Sequence, residues 1–350
     1  MSERLTFDQT VEALRDPNRP PHFLAMDQSA GTHRKHMQQF GVPIGDEADF
    51  QQKAETARVM LATTPGLGKE FGAAIVHNDL YSLVGPDGRP LQEHLEKQGV
   101  LVIGKGMGLD SKTGLATEVD TVGDDMQKLV EIGVHLIKTR TTAKCTLPQY
   151  VDDAAEQMVE VQKQAAKNGK IAAILEPEFD IKSPGTLAER EELMVQLLGR
   201  MMHRIQAEGI SKHPFAIKTS FPTAGRPETE YQEPIDPQAS AESWKRICER
   251  AEIPEELLVV FLSGGHSSAT SRALLQEMAK VRAHSGSSFS RANVERPYQM
   301  TFPKAGGVDI PAGQDAILLE GLKNRRAMEG RYDPNMEQVK RYADLAGQAS

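Results

Sequence analysis

The chain has 350 residues, a formal net charge of −8 and a pI near 5.8. This acidic balance argues against a nucleic acid or an anionic membrane as partner, because either would require a basic surface. Two cysteines are too few for a disulfide framework and indicate a reducing compartment. No apolar run approaches the length of about 18 residues that a membrane span needs. Residues 1–5 are charged and lead into a polar stretch, where a secretory signal would continue with an apolar segment. We therefore expect a cytoplasmic protein.

Eight short, mostly apolar runs recur along the chain, and each leads into a residue that can take part in chemistry. Between them lie stretches with apolar residues at helical spacing, such as 151–166 and 193–205. Continuous apolar strands that alternate with helices are typical of a parallel sheet that is buried on both faces. The eight predicted strands are residues 23–26, 73–76, 100–104, 135–140, 172–178, 215–220, 258–262 and 287–291.

Eight strand and helix units predict a single (β/α)8 TIM barrel of the α/β class, with an N-terminal helical segment and a C-terminal helical extension. We expect one domain over residues 1–350, with the barrel core at about 20–292 and the extension at 293–350. A doubly wound sheet is the alternative, but it usually has fewer strands and a glycine-rich first turn. Here the polar residues 27–29 follow the first strand. The last strand also has a competing placement at residues 298–302.

Three polar residues at the ends of the fourth, fifth and sixth strands suggest the chemistry. The carboxyl ends of barrel strands form the active site, and neighbouring strands lie about 4.8 Å apart, so Lys138 and Lys218 would flank Glu176. A lysine that is partly desolvated and close to another cation has a lowered pKa, and its neutral amine can attack a carbonyl to form a Schiff base. Taken alone, a strand-end lysine is usually exposed or ion-paired, so a salt bridge of Lys138 with Glu176 without a catalytic role stays open.

Four further features each have two interpretations. Glu178 lies on the same strand face as the candidate carboxylate and either orients Lys138 or moves protons. Asp27 is either a helix N-cap or an acid/base, and the Ser-Gly-Gly loop at 263–265 either offers backbone N–H groups to a phosphate or makes a tight turn. The cluster at 33–36, with two histidines, is better explained by a solvated helix face than by a metal site. We expect no metal and no other cofactor.

An ordered set of motifs stands at the strand ends: Ala25-Met26-Asp27-Gln28-Ser29 with Gly31, His77 with Leu80-Tyr81, Lys138-Thr139-Arg140, Glu176-Pro177-Glu178, Ala216-Ile217-Lys218, Leu262-Ser263-Gly264-Gly265 and Ser288-Phe289-Ser290-Arg291-Ala292. With these motifs the chain resembles class I fructose-bisphosphate aldolases, the metal-free Schiff-base type, over about residues 20–292. The resemblance implies that Lys218 forms the Schiff base and that Glu176 is the acid/base of carbinolamine dehydration. It also implies that Asp27 takes the proton from the C4 hydroxyl as the C3–C4 bond breaks, with electrostatic assistance from Lys138.

The resemblance further implies two phosphate sites, one in the loops after the last two strands and one near the first, third and fourth strand ends. The chain departs from the family after Lys105, where it reads Gly106-Met107-Gly108 in place of the usual Val-Asp-Lys-Gly. It also ends at Ser350 without the terminal tyrosine of animal enzymes, so enamine proton exchange would fall to another group or be slow. The substrate-binding residues are then Ser263, Gly264, Gly265, Ser290 and Arg291 at the first site, Ser29, Thr32, Lys105 and Arg140 at the second, and Glu178 beside the candidate carboxylate.

We therefore expect reversible cleavage of fructose 1,6-bisphosphate into dihydroxyacetone phosphate and glyceraldehyde 3-phosphate. The alternatives are a related Schiff-base aldolase, for example on tagatose 1,6-bisphosphate, a transaldolase-like enzyme on another sugar phosphate, or a non-catalytic sugar-phosphate-binding barrel. The last alternative has no need of Lys138, Glu176 and Lys218 together. The family also suggests a homo-oligomer, and we expect neither a nucleic-acid nor a membrane partner.

Overall fold

The computed structural model describes residues 4–226 and 235–347. In this part of the chain eight parallel strands form one sheet in sequence order, which confirms the predicted barrel architecture. The predicted features at the chain ends that fall on residues 1–3 and 348–350 lie outside the described residues. The strands are β1 (Phe23–Met26), β2 (Ala73–Val76), β3 (Leu101–Lys105), β4 (Leu136–Ala143), β5 (Ala172–Phe179), β6 (Phe215–Ser220), β7 (Val259–Leu262) and β8 (Ser285–Ser287).

Helices connect the strands and surround the sheet. The α-helices are α1 (Phe7–Arg15), α2 (Ala30–Gln39), α3 (Glu47–Ala62), α4 (Leu91–Lys97), α5 (Val122–Glu131), α6 (Val151–Asn168), α7 (Leu187–Ala207), α8 (Pro237–Arg250), α9 (Ser268–Val281), α10 (Arg291–Thr301), α11 (Ile310–Met328) and α12 (Tyr342–Ala346). Short 3-10 helices occur at Leu67–Lys69, Asn78–Ser82, Val119–Thr121, Pro148–Tyr150, Ile210–Lys212 and Pro334–Gln338.

The helices begin and end where local sequence signals allow. In α7 the Thr186 hydroxyl accepts from the backbone N–H of Glu189, whose side chain accepts from the Thr186 backbone in return, forming a capping box. Helix α6 ends at Gly169, which has a φ of 71° in the left-handed region that favours glycine. Both helices predicted from apolar spacing are confirmed, since 151–166 lies within α6 and 193–205 within α7.

The sheet is nearly closed into a barrel. His22, just before β1, forms an isolated parallel bridge with Ser287 of β8. The Ser287 backbone N–H donates to the Pro21 carbonyl at 3.0 Å, and His22 Nδ1 lies 2.9 Å from Ser287 Oγ. The first and last strands are therefore adjacent, and the carboxyl ends of all eight strands face one common opening.

Side chains alternate between the barrel interior and the helix layer. Apolar residues of the strands fill the interior, and Leu14 of α1 packs against them at the amino ends of the strands. Leu136 in β4 and Ala216 in β6 belong to this interior cluster. Lys138 and Lys218 lie two residues further along the same strand faces, and both are buried. The alternation of the strands thus places both lysines above an apolar floor, at the carboxyl end of the barrel.

The predicted position of the last strand is wrong. Strand β8 spans Ser285–Ser287, where it pairs with β7, whereas Arg291 is the first residue of α10. The competing placement at 298–302 is also wrong, because α10 includes residues up to Thr301. A Ser-Gly-Ser strand has no apolar pattern to detect. Its small residues are required by packing, since a Cβ on Gly286 would collide with the Pro21 carbonyl oxygen.

The C-terminal extension is helical and lies against the outside of the barrel. Helix α11 contacts α3, α9 and α10, and α12 packs back on α11. Leu319 and Leu322 of α11 form a small buried cluster with Leu345 of α12. In the described residues, no helix combines the length and the apolarity that crossing a bilayer requires.

Candidate active site

A cavity of about 570 Å³ opens at the carboxyl ends of the strands. It brings together every candidate site residue named from the sequence. Around the cavity floor these are Asp27, Lys138, Arg140, Glu176, Glu178 and Lys218, and around its rim Ser29, Thr32, Lys105, Ser263, Gly264, Gly265, Ser290 and Arg291.

The register of β4 and β5 aligns the polar side chains of the floor. Arg140 pairs with Glu176 and Thr142 with Glu178 at the level of the Cα atoms. Because side chains two residues apart share a face, Lys138 and Arg140 both point inward, as do Glu176 and Glu178. The sequence-based prediction that these two pairs each share a face is confirmed.

Lys138 lies between two carboxylates. Its Nζ is 2.7 Å from Asp27 Oδ2 and 2.9 Å from Glu176 Oε2, and the Lys138 side chain is only 5% exposed. Burial acts to lower the pKa of Lys138, but Asp27 and Glu176 outweigh it, so the pKa is raised. Burial likewise acts to raise the pKa of Asp27, and Lys138 and Lys218 more than compensate, so that pKa is lowered. The pairing therefore favours the ammonium form of Lys138 and the carboxylate form of Asp27.

Glu176 also contacts the second lysine. Lys218 Nζ lies 2.8 Å from Glu176 Oε1, so the two oxygens of one carboxylate serve two different amines. Burial acts to raise the pKa of Glu176, but Lys138, Lys218 and Arg140 hold it below its ordinary value. A carboxylate in hydrogen-bond reach of a buried amine can accept a proton from that amine and return it.

A second acid and base pair lies beside this centre. Arg140 Nη1 is 3.3 Å from Glu178 Oε2. Burial raises the pKa of Glu178 despite the nearby Arg140. Lys105 approaches from β3 and donates to the Asp27 main-chain carbonyl at 3.2 Å, and burial lowers the pKa of its amine. Arg140 and Lys105 therefore add two further cationic side chains to the cavity that contains Glu176.

The loop after β7 and the start of α10 form the opposite rim. Gly264 and Gly265 have φ values of 53° and 96°, which only glycine adopts readily. This turn leads towards α9, whose N-cap is Ser267. Arg291 Nη2 donates to the Gly265 carbonyl. A helix start, exposed loop N–H groups and a guanidinium together favour an anion such as a phosphate.

Some lining residues were not identified from the sequence as site residues. Gln28 lines the cavity and donates from Nε2 to the Ser290 hydroxyl at 2.6 Å and to the Ala25 carbonyl at 2.9 Å. The position of Gln28 directly after Asp27 is the sequence signal that could have identified it as a site residue. Met107, Leu109 and Leu262 add apolar walls that a search for chemically active side chains does not consider.

The cluster at 33–36 only partly matches the expected solvated helix face. His33 is buried, with its Nε2 3.1 Å from the Tyr298 hydroxyl, because α10 packs on α2. His36 lines the cavity, and burial lowers its pKa. Across residues 4–226 and 235–347, no group of three or more His, Cys, Asp or Glu side chains is arranged to hold a metal ion.

Comparisons with known proteins agree with this geometry. A family model described as glycolytic, fructose-bisphosphate aldolase class-I, matches residues 9–348. The chain is 24% identical over 349 residues to fructose-bisphosphate aldolase 2, chloroplastic, of Pisum sativum, covering 95% of each chain. It is 23% identical over 321 residues to fructose-bisphosphate aldolase 6, cytosolic, of Arabidopsis thaliana, covering 88% of this chain and 87% of that one.

Among solved structures, the fold is similar to that of fructose-bisphosphate aldolase from Plasmodium falciparum, crystallised with TRAP and a small-molecule inhibitor. The TM-score is 0.80 at 19% sequence identity, covering 93% of this chain and 96% of that one. At this identity the likeness shows a shared fold.

Proposed function

Because the chain belongs to the class I fructose-bisphosphate aldolase family, we propose that it reversibly cleaves fructose 1,6-bisphosphate into dihydroxyacetone phosphate and glyceraldehyde 3-phosphate. The reaction runs through a Schiff base on Lys218. The observation that carries this proposal is the contact of one buried carboxylate, Glu176, with the two buried amines of Lys138 and Lys218.

The geometry favours Lys218 over Lys138 as the nucleophile. Lys138 contacts two carboxylates, and its raised pKa keeps it charged. Lys218 contacts Glu176, which can accept its proton and free the neutral amine. The amine attacks the C2 carbonyl of the sugar to give a carbinolamine. Glu176 then returns a proton to the departing hydroxyl, so that water leaves and an iminium forms.

Asp27 is placed to start the bond cleavage. Its lowered pKa keeps it a carboxylate that can accept the proton of the C4 hydroxyl. As that proton leaves, the C4 oxygen forms the aldehyde carbonyl and the C3–C4 bond breaks. The bond electrons move into the iminium to give an enamine on Lys218. Protonation of the enamine and hydrolysis then release dihydroxyacetone phosphate. During the cleavage step the Lys138 ammonium, which lies beside Asp27 and Glu176, stabilises the negative charge that develops on the C4 oxygen as its proton leaves.

The two ends of the cavity supply groups for two phosphates. We assign Ser263, Gly264, Gly265, Ser290 and Arg291 to one phosphate and Ser29, Thr32, Lys105 and Arg140 to the other, all of which line the cavity. Helix α2 supports the second assignment, because its N-cap Ser29 makes no side-chain cap and leaves first-turn N–H groups for an anion. Glu178 completes the substrate-binding set beside Arg140.

Reductive trapping tests the Schiff base directly. Borohydride added with dihydroxyacetone phosphate should inactivate the protein and attach the triose to Lys218, because borohydride reduces the iminium to a stable secondary amine. Peptide mass mapping identifies the modified residue. Lys218→Met should give no adduct while the fold is retained, since Met has a similar length and tolerates burial. Lys138→Met is the matched control and should still be trapped at Lys218. In the wild-type protein, an adduct on Lys138, or no adduct, would refute the assignment.

We also expect catalysis to survive chelation. In the proposed mechanism the iminium on Lys218 withdraws the electrons of the breaking bond, which is the role that a Lewis-acidic metal plays in other aldol enzymes. Exhaustive dialysis against EDTA should therefore leave kcat/KM for fructose 1,6-bisphosphate unchanged. A loss of activity that added zinc restores would contradict the Schiff-base route.

We propose that the protein acts in the cytoplasm as a homo-oligomer. Cys145 and Cys248 are both unpaired, which suits a reducing compartment. The curated relatives include a cytosolic protein as well as chloroplastic proteins. Subcellular fractionation is therefore the measurement that decides the location. The homo-oligomer is proposed by analogy with the family. Light scattering on purified protein should give a mass that is a multiple of the 38.4 kDa chain.

A further inference from the structure

The turn between β8 and α10, residues 288–291, carries Ser290 and Arg291 into the cavity. Ser290 is the N-cap of α10, yet its side chain makes no capping hydrogen bond and instead accepts from Gln28 Nε2 at 2.6 Å. A serine at an N-cap usually binds a first-turn N–H and thereby fixes the helix start. Here the Ser290 side chain faces the cavity and does not fix the helix start; the Ser290 carbonyl accepts from the backbone N–H groups of Asn293 and Val294.

Asn293, in the first turn of α10, adds a buried side-chain hydrogen bond to this turn. Its Nδ2 donates to the Phe289 carbonyl at 3.1 Å, immediately before Ser290 in sequence. Asn293 and Phe289 are both fully buried. Asn293 does not line the cavity. Any effect of Asn293 on a ligand in the cavity therefore has to pass through the backbone of the turn.

Asn293 is itself oriented by a chain of buried hydrogen bonds. Arg272 Nε donates to Asn324 Oδ1 at 3.0 Å, and Asn324 Nδ2 donates to Asn293 Oδ1 at 2.9 Å. Arginine can only donate and the Phe289 carbonyl can only accept, so both amide groups have a single consistent orientation. Arg272, Asn293 and Asn324 are 0% exposed, which makes each bond costly to break.

The chain of bonds joins the two elements that carry the phosphate-binding groups. Arg272 belongs to α9, which follows the loop 263–265, and Asn293 belongs to α10, which begins at Arg291. Asn324 of α11 connects them. The Arg272 guanidinium is anchored by ion pairs with Glu320 and Glu337. A fully satisfied buried network of this kind is rigid.

We propose that Asn293, oriented by Asn324 and Arg272, is a positioning residue that sets the turn 288–291 so that Ser290 and Arg291 bind a substrate phosphate. This inference rests on the proposed function and extends it from the cavity wall into the helix layer. It predicts that the network matters for phosphate affinity and not only for stability.

The test compares phosphate affinity with a reaction that needs no phosphate. Asn293→Asp keeps the size and the acceptor but removes the donor to Phe289. We expect the dissociation constant for inorganic phosphate, measured by titration calorimetry, and the KM for fructose 1,6-bisphosphate to rise about tenfold, as for one lost hydrogen bond. Borohydride trapping of dihydroxyacetone, which lacks a phosphate, should keep its wild-type rate.

Two further variants keep the test decisive if Asn293→Asp does not fold. Asn324→Ala removes the donor that orients Asn293 and should weaken phosphate binding in the same direction. Tyr332→Phe is the matched control, because it removes a 2.9 Å bond to Glu337 at the far end of the same network. It should lower the melting temperature without changing phosphate affinity.

A double variant that lacks the Ser290 and Arg291 side chains separates a positioning role of Asn293 from a general loss of rigidity. When Ser290→Ala and Arg291→Ala are already present, Asn293→Asp should cause no further loss of phosphate affinity. The inference is overturned if Asn293→Asp and Asn324→Ala lower only the melting temperature, or if they slow dihydroxyacetone trapping as much as they weaken phosphate binding. If wild-type protein forms no adduct with either triose, the proposed function fails, while the phosphate titrations still test the turn.

Discussion

At the scale of single residues, the centre of the site is one ammonium held by two carboxylates. Lys138 lies within 3 Å of both Asp27 and Glu176, and none of the three side chains is more than 13% exposed. Removing one partner from such a buried group leaves uncompensated charge and typically costs about 3–5 kcal/mol. The arrangement keeps both carboxylates ionised in a setting that would otherwise protonate them, which is the state the proposed mechanism requires.

Replacing Lys138 should therefore move the pH dependence of catalysis. Burial acts to raise the pKa of Glu176, and Lys138 is the largest of the groups that lower it. Without this cation the pKa rises, so the carboxylate is protonated at a higher pH. The pKa of Asp27 shifts in the same direction. In Lys138→Met the acid limb of kcat/KM should thus move to higher pH, and kcat should fall by roughly 10² to 10³.

The pH profile of a second lysine variant provides the control. Lys105 lines the same cavity and contacts the main-chain carbonyl of Asp27 rather than Glu176. Lys105→Met should raise KM with a smaller displacement of the acid limb. Circular dichroism of both variants checks that the fold persists. An unchanged acid limb in folded Lys138→Met would show that Lys138 does not control the charge of these carboxylates.

Single residues also show what the sequence can reveal. Lys138, Glu176 and Lys218 stand at the ends of apolar strands, so strand alternation and the barrel rule were enough to bring them together. Gln28 follows a strand end, but the sequence does not reveal its partner, and Asn293 has no local signal at all. Their roles depend on partners more than 25 residues away, such as Ser290 for Gln28 and Asn324 for Asn293, and those partners are brought close only by the tertiary fold.

At the scale of elements, the strand predictions succeeded wherever burial on both faces produced an apolar run. Strand β8 is the exception. Its Ser-Gly-Ser sequence reflects close packing against the chain before β1, where space rather than hydrophobicity selects the residues. Residues 288–290, which follow β8 and include two serines, resemble the end of a strand but form the turn into α10. Arg291 and the loop 263–265, which were assigned to the same phosphate site, nevertheless lie in contact, with Arg291 as the first residue of a helix instead of the end of a strand.

This placement predicts unequal roles for two cations near the C-terminal side of the barrel. Arg291 lines the cavity, so Arg291→Ala should cost roughly 1.5–3 kcal/mol in binding, or about one to two decades in KM for phosphorylated substrates. Lys304 is exposed beyond the end of α10, beside Gly41, and Lys304→Ala should have little effect. Steady-state kinetics on fructose 1,6-bisphosphate would measure both. The reverse order would remove the phosphate site from the β8–α10 turn.

At the scale of the whole molecule, the extension after the barrel is tied to it by buried charges. Glu70, which precedes β2, is fully buried and accepts two hydrogen bonds from Arg325 of α11, each at 3.1 Å. The Tyr342 hydroxyl of α12 donates to the same carboxylate at 2.8 Å. We propose that core and extension form one domain. Thermal unfolding should then show a single cooperative transition, whereas an independent extension would give two.

Glu70→Leu tests this attachment. The substitution removes three hydrogen bonds to a buried carboxylate, while Arg325, with 38% of its side chain exposed, can regain water. We therefore expect a loss of about 1–3 kcal/mol in the free energy of unfolding, measured by urea denaturation. Because Glu70 lies towards the amino ends of the strands, kcat should not change. Glu329→Gln is the control. The Glu329 side chain is 36% exposed and pairs with the same arginine at 3.5 Å, and with Arg326 and Arg331 at 3.3 and 3.4 Å. Partly exposed pairs are typically worth less than about 1 kcal/mol each, so the loss should be smaller than in Glu70→Leu. Equal losses in the two variants, or reduced kcat in a stable Glu70→Leu protein, would show that Glu70 does not anchor the extension in this way.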